Sequence, residues 1–184
     1  SRVCRVAVVP ARQAGPRGAG FWWRFAKGWS PGSSLRGAPP KASGVDENND
    51  LWIAKFPSRY DEYDIAAWEY LAYRLARNAG IEMAECRMEQ FSHHHHTFLT
   101  KRLDRKSERR LHFTSALTQL GYYDGHYDAS YLELAQFLTD QGANTKNDLA
   151  QLWRRMVFNI AVSNTDDHLR NHGFLYRDGG WILS

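Results

Sequence analysis

The spacing of apolar residues changes period in a set order along this chain, and that order limits the fold more than any single residue does. Leu51-Trp52-Ile53-Ala54-Lys55-Phe56 follows the turn signal Asn48-Asn49-Asp50 and reads as a strand. The small residues of 32–44 before it read as a loop. Beyond Asp61 the spacing lengthens. Ile65, Trp68, Leu71, Ala72 and Leu75 share one helical face, expected to point inward, and Gly80 is the stop. Residues 83–90 and 97–102 alternate as two strands around a turn at 93–96. From Leu111 the chain is expected to be mainly helical. Ser130 and Glu133 form a capping box for a helix over 131–139. Thr145 and Asp148 open a longer helix, with Leu149, Leu152, Trp153, Met156, Val157 and Ile160 expected to face inward. A polar loop at 163–172 leads into a hairpin of 173–176 and 181–183. Strands, one helix, more strands, then helices and a hairpin give a two-lobed α+β layout.

Composition narrows the function classes. Of 184 residues, 43% are hydrophobic and 14% aromatic, which excludes wholesale disorder, and the apolar runs are too short to span a membrane. The net charge of +4 is unevenly placed. Residues 1–45 hold eight basic side chains and no acid, which leaves 16 basic against 20 acidic residues in 46–184. Basicity therefore belongs to one segment, with no nucleic-acid motif in it. Arg109-Arg110 and Arg154-Arg155 are expected on solvated faces, and Tyr122, Tyr123 and Tyr127 over the core. Cys4 and Cys86 make no disulfide framework and lack zinc spacing, so a reducing cytoplasm is expected. His93, His94, His95 and His96 read as an exposed turn rather than a metal site. The chain starts on Ser1 and stops within a strand pattern, as expected of a piece of a longer protein.

The densest polar cluster is Asn164-Thr165-Asp166-Asp167-His168-Leu169-Arg170-Asn171. Asp166 and Asn171 have the Asp-x-x-x-x-Asn spacing of a kinase catalytic loop, where the Asp orients the substrate hydroxyl and the Asn oxygen binds Mg²⁺. A capped turn would use the same residue types. His168 could brace Asp166. Lys55 lies inside an apolar strand, where burial requires an anionic partner. The following helix offers Glu69, in preference to Glu62 in its first turn; a lysine reaching out to water is the alternative. Upstream, Gly32 and Gly37 permit close approach to phosphate, and Arg36 and Lys41 bring charge. This loop is neither Gly-x-Gly-x-x-Gly nor a Walker A sequence, and Pro39-Pro40 removes two donors.

Four segments in order, 34–42, 52–58, 101–105 and 164–174, resemble the HipA family of bacterial serine/threonine kinases, the toxins of HipBA-type toxin–antitoxin modules. The resemblance runs from Gly32 to Ser184. It implies a distant protein-kinase-like two-lobed fold binding ATP and Mg²⁺ between its lobes, here with an incomplete C-terminal lobe. Residues 1–31 would be an unassigned basic segment, 32–104 an N-lobe-like ATP-binding region, and 105–184 the start of a helical C-lobe with the catalytic loop. Position by position, the resemblance makes Asp166 the catalytic base and Asn171 a metal ligand. Lys55, Lys41, Arg36 and Gly37 would meet the phosphates, and Lys101, Arg102, Leu103 and Asp104 the adenine and ribose. Ser34, or its neighbour Ser33, falls at the family's inactivating autophosphorylation position. The implied partners are a protein substrate such as an aminoacyl-tRNA synthetase and a DNA-binding HipB-like antitoxin, with nucleic acid met only through the latter. The family's second metal-binding Asp would lie beyond Ser184, so the chain alone is expected to transfer phosphate weakly and could serve only as a nucleotide- or antitoxin-binding module.

Overall fold

The computed structural model describes residues 24–26, 40–58, 60–91, 95–106, 109–123 and 129–184. Expectations for Cys4, Gly32, Ser33, Ser34, Arg36, Gly37, His93, His94 and Tyr127 lie outside the described residues. Two compact units are present, one of Ser1–Arg74 with Ala84–Ser107, the other of Leu75–Met83 with Glu108–Ser184.

The first unit is built on an antiparallel sheet of β1 (Arg24–Ala26), β2 (Lys41–Val45), β3 (Leu51–Lys55), β4 (Cys86–Glu89) and β5 (Thr97–Lys101), in the order β1-β2-β3-β5-β4. β2 begins inside the segment expected as loop. Its small residues are what the ladder needs, because Gly44 lies opposite the bulky Trp52 and Ala42 opposite Ala54. The β2–β3 turn is organised by Asp46, which is buried. Its carboxylate accepts from Asn48 N–H at 3.0 Å, Asp50 N–H at 2.9 Å and Trp52 Nε1 at 3.0 Å. Trp52, Ala54 and Leu99 are fully buried on one face of the sheet. On the other, Cys86 and Phe98 pack with Ala66 and Tyr73 of α1 (Ile65–Asn78).

The buried face of α1 differs from the expected one. Trp68, Leu71 and Leu75 are exposed, whereas Ala66 and Tyr73 go inward. The polar anchors set this rotation. Asp64 accepts from Ala67 N–H at 3.1 Å and meets His96 Nδ1 at 2.5 Å, while Glu69 reaches Lys55. Residues 66, 69 and 73 share one helical face, so holding Glu69 toward the sheet turns the bulkier stripe outward. Gly80, at φ +78°, follows the helix where the left-handed conformation favours glycine.

β6 (Arg105–Lys106) and β7 (Arg109–Arg110) are two-residue strands. The second unit contains β8 (His112–Ser115), α2 (Ala116–Gln119), α3 (Tyr131–Gln141), α4 (Thr145–Ala161), β9 (Gly173–Arg177) and β10 (Gly180–Leu183). Its sheet order is β10-β9-β8, so His112–Ser115 is strand rather than helix: its backbone pairs with β9 across His112↔Tyr176 and Ser115↔Gly173. Leu134, Leu138, Leu152, Phe174 and Leu183 form the core. Ser130 and Glu133 do form a capping box, Glu133 accepting from Ser130 N–H at 2.8 Å.

α4 also departs from expectation. Leu152 is buried, yet Trp153 is 61% and Ile160 73% exposed, with Val157 also outside. Asp148 does not cap Thr145; it is buried and accepts from Leu183 N–H at 3.1 Å, and burial raises its pKa. Arg155 is not on a solvated face, because it donates to the Ser184 carbonyl at 2.6 Å and burial depresses its pKa. These two contacts tie α4 to the end of β10 and fix which side of the helix faces in. Tyr122 packs at the core, while Tyr123 is exposed. Among the described residues no helix is long and apolar enough to cross a membrane. The corrected rotation of α4 predicts that Leu152→Ala lowers stability by about 2–5 kcal/mol and Ile160→Ala by no more than about 0.5 kcal/mol, measured by urea unfolding.

Candidate active site

The polar loop lies between α4 and β9 and is held by its own side chains. Asn159 and Asn164 join its start to the helix: Asn164 N–H donates to the Asn159 carbonyl at 2.8 Å, and Asn164 Nδ2 to Asn159 Oδ1 at 3.2 Å. Asn164 Oδ1 then accepts from Asp166 N–H at 3.2 Å, and Asn171 Nδ2 donates to the Asp166 carbonyl at 2.7 Å. Both backbone polar groups of Asp166 are thus engaged, while its side chain is 94% exposed. His168 Nε2 is 3.9 Å from that carboxylate, a loose approach rather than a firm brace.

The neighbouring Asp167 points the other way, with its side chain 12% exposed. Its carboxylate accepts from the Tyr131 hydroxyl, from Asn159 Nδ2 at 2.9 Å and from His172 Nε2 at 3.1 Å. Burial, reinforced by Asp167, pushes the Tyr131 hydroxyl up to about 12. Burial also lowers the pKa of His172, outweighing Asp167; facing a carboxylate, which only accepts, Nε2 is the donor. Gly173 follows because a Cβ there would meet the Phe113 ring. Asp167, Tyr131 and Asn159 carried no motif by which they could be singled out; only the adjacent Asp pair hinted that one carboxylate would turn inward.

In the first unit, Lys55 Nζ donates to Glu69 Oε1 at 2.6 Å and lies 5.4 Å from the Phe98 ring centroid. Glu69, not Glu62, is its partner. Lys41 stands directly opposite Lys55 across β2 and β3 and is exposed. Two like charges facing each other are unfavourable, and one glutamate neutralises only one of them. The surplus positive charge suits an anion. Lys55, Glu69, Phe56, Ile65, His96 and Phe98 line a shallow depression beside it.

The basic run at 101–105 is neutralised within itself and by the adjacent turn. Lys101 donates to Asp50, which raises its pKa. Asp104 receives Arg102 at 2.7 and 2.6 Å and Arg105 at 2.8 Å, whereas Leu103 is exposed. This segment offers backbone and apolar surface more than free charge. Among the described residues no three His, Cys, Asp or Glu side chains gather as a metal site. Asn171 Oδ1, not used in the Nδ2 hydrogen bond to Asp166, and the exposed Asp166 carboxylate are still oxygen donors of the kind that suit Mg²⁺, which retains waters and shares phosphate oxygens.

The family model of the HipA-like C-terminal domain matches residues 33–184. The chain belongs to that family. It is 28% identical over 142 residues to a protein of Sinorhizobium fredii named "Putative kinase Y4dM", covering 69% of this chain and 34% of that protein. It is 28% identical over 169 residues to a "Putative kinase" of Haemophilus influenzae, covering 79% and 48%. The chain thus spans about a third to a half of the length of these two relatives. In fold it is similar to HipA of Shewanella oneidensis, solved with HipB and operator DNA (TM-score 0.65, 18% identity, 82% of this chain and 42% of that one). It is also similar to the Helicobacter pylori proinflammatory kinase CtkA (TM-score 0.61, 17% identity, 87% and 55%). The architecture is therefore α+β and kinase-like.

The Arg102–Asp104 pair makes a pH prediction. Hydrogen bonding from Arg102 holds the Asp104 carboxyl below its usual range. A depressed carboxylate contributes its full stabilisation above the unfolded value, about 3.9, and loses it as pH falls through the folded value. Asp64, whose pKa His96 lowers despite burial, acts in the same direction. The urea midpoint should fall between about pH 5 and pH 2, and Asp104→Asn should make that fall shallower.

Proposed function

We propose that the protein is a HipA-type serine/threonine protein kinase, transferring the γ-phosphate of ATP to a Ser or Thr hydroxyl. The observation that carries this reading is Asp166: its backbone is tied at both ends while its carboxylate stands free in water. A general base needs that combination of fixed position and open access. Asp166 accepts the hydroxyl proton, and Asn171 presents Oδ1 to a magnesium ion, whose contribution when bound is to neutralise charge on the phosphates. Lys55, oriented by Glu69, and the opposed Lys41 hold phosphate oxygens. Arg36 and Gly37 are assigned to the phosphates as well, and residues 101–104 to adenine and ribose. In this reading 32–104 is the nucleotide-binding region, 105–184 carries the catalytic loop, and 1–31 has no assigned part. Ser34, or Ser33, is the site of autophosphorylation.

The family membership supports a toxin–antitoxin role in the cytoplasm. The similar HipA was solved with HipB and its operator DNA. A HipB-like antitoxin is accordingly the proposed partner, DNA being reached through it, and an aminoacyl-tRNA synthetase exemplifies the protein substrate. The test pairs ATP·Mg²⁺ binding with [γ-³²P]ATP transfer. Lys55→Met should weaken nucleotide binding about tenfold, and Asp166→Asn should keep binding while reducing transfer by about 10²–10⁴-fold. Binding without any transfer would identify a nucleotide-binding module instead. Absence of both would remove the kinase reading.

A further inference from the structure

We propose that Asp167 is the positioning residue of this loop: its inward-turned carboxylate, gripped by Tyr131, Asn159 and His172, fixes the backbone on which Asp166 and Asn171 are presented. The assignment rests on the kinase reading for its catalytic consequence, but not for its structural one.

The donors come from three places in the second unit. Tyr131 opens α3, Asn159 lies in the last turns of α4, and His172 immediately precedes β9. A carboxylate withdrawn from water must have its lone pairs filled, so these three donors and the one acceptor group hold one another. The Tyr131 ring also packs edge-on against His172, with centroids 5.4 Å apart. Asn159 serves twice, donating to Asp167 and accepting from Asn164. Asn164 in turn holds the N–H of Asp166. A continuous path of hydrogen bonds therefore runs from inward-turned Asp167 to the backbone of exposed Asp166. Of these neighbours, Asp167 is turned inward and held there, while Asp166 is left facing out. At the far end of the loop, Asp167 holds His172, the residue next to Asn171; the Asn171 N–H donates to the His168 carbonyl at 2.8 Å.

Asp167→Asn would keep the shape but set an NH₂ group against donors, whereas Tyr131→Phe would remove one donor and keep the ring packing. Amide hydrogen exchange at Asn164, Asp166 and Asn171 is expected to accelerate about tenfold or more in Asp167→Asn and less in Tyr131→Phe, with β9 and α3 unchanged. In phosphate transfer, kcat should fall about a hundredfold in Asp167→Asn while KM for ATP stays within about twofold, the signature of misplaced rather than missing machinery. Unchanged exchange in the loop of either folded variant overturns the proposal. Should Asp167→Asn fail to fold, Tyr131→Phe carries the same test. If the unsubstituted protein neither binds ATP nor transfers phosphate, the kinase reading fails, and the exchange data still settle whether Asp167 positions the loop.

Discussion

A carboxylate removed from water has to be given hydrogen-bond donors, and both units of this protein are organised around that requirement. Asp167 gathers a tyrosine, an asparagine and a histidine from α3, α4 and the approach to β9. Asp46 does the same on a smaller scale, drawing two backbone amides and the Trp52 indole into the β2–β3 turn. Asp167 thereby commits three segments to one arrangement, and Asp46 one turn and the strand that follows it. Losing either would break several hydrogen bonds at once rather than one.

The same requirement separates the two members of the Asp166–Asp167 pair. One carboxylate spends its lone pairs on the protein and the other is left for solvent and whatever binds there. Lys55 and Lys41 form a comparable division of labour. Glu69 engages Lys55 and orients it, while Lys41 remains exposed across the ladder. At Asp104, by contrast, Arg102 and Arg105 neutralise the carboxylate locally.

Rotation of the helices shows the limit of reading apolar spacing alone. On α1 and α4 the bulkiest apolar stripes, Trp68–Leu71–Leu75 and Trp153–Val157–Ile160, are exposed. The inward sides carry the residues that make specific bonds: Glu69 to Lys55 on α1, and, beside Leu149 and Leu152, Asp148 and Arg155 to the end of β10 on α4. Two ionic or hydrogen-bonded anchors on one side of a helix outweigh a few half-exposed apolar side chains on the other.

From residue order alone came the α+β layout, the hairpin at the end, α1 and its glycine stop, the Ser130–Glu133 cap, and the Lys55–Glu69 pair. These rest on local signals: period, turn residues, and spacing within one or two elements. The Asp-x-x-x-x-Asn spacing also singled out a loop whose backbone proves to be tied through those residues. What could not be read was every feature decided by a distant partner. β8 is a strand because β9 lies beside it, Arg155 turns inward because Ser184 offers a carbonyl, and Asp167 turns inward because Tyr131, 36 positions away, reaches it. Those outcomes depend on which donors meet which acceptors after the chain has folded, and one-dimensional spacing carries no record of that.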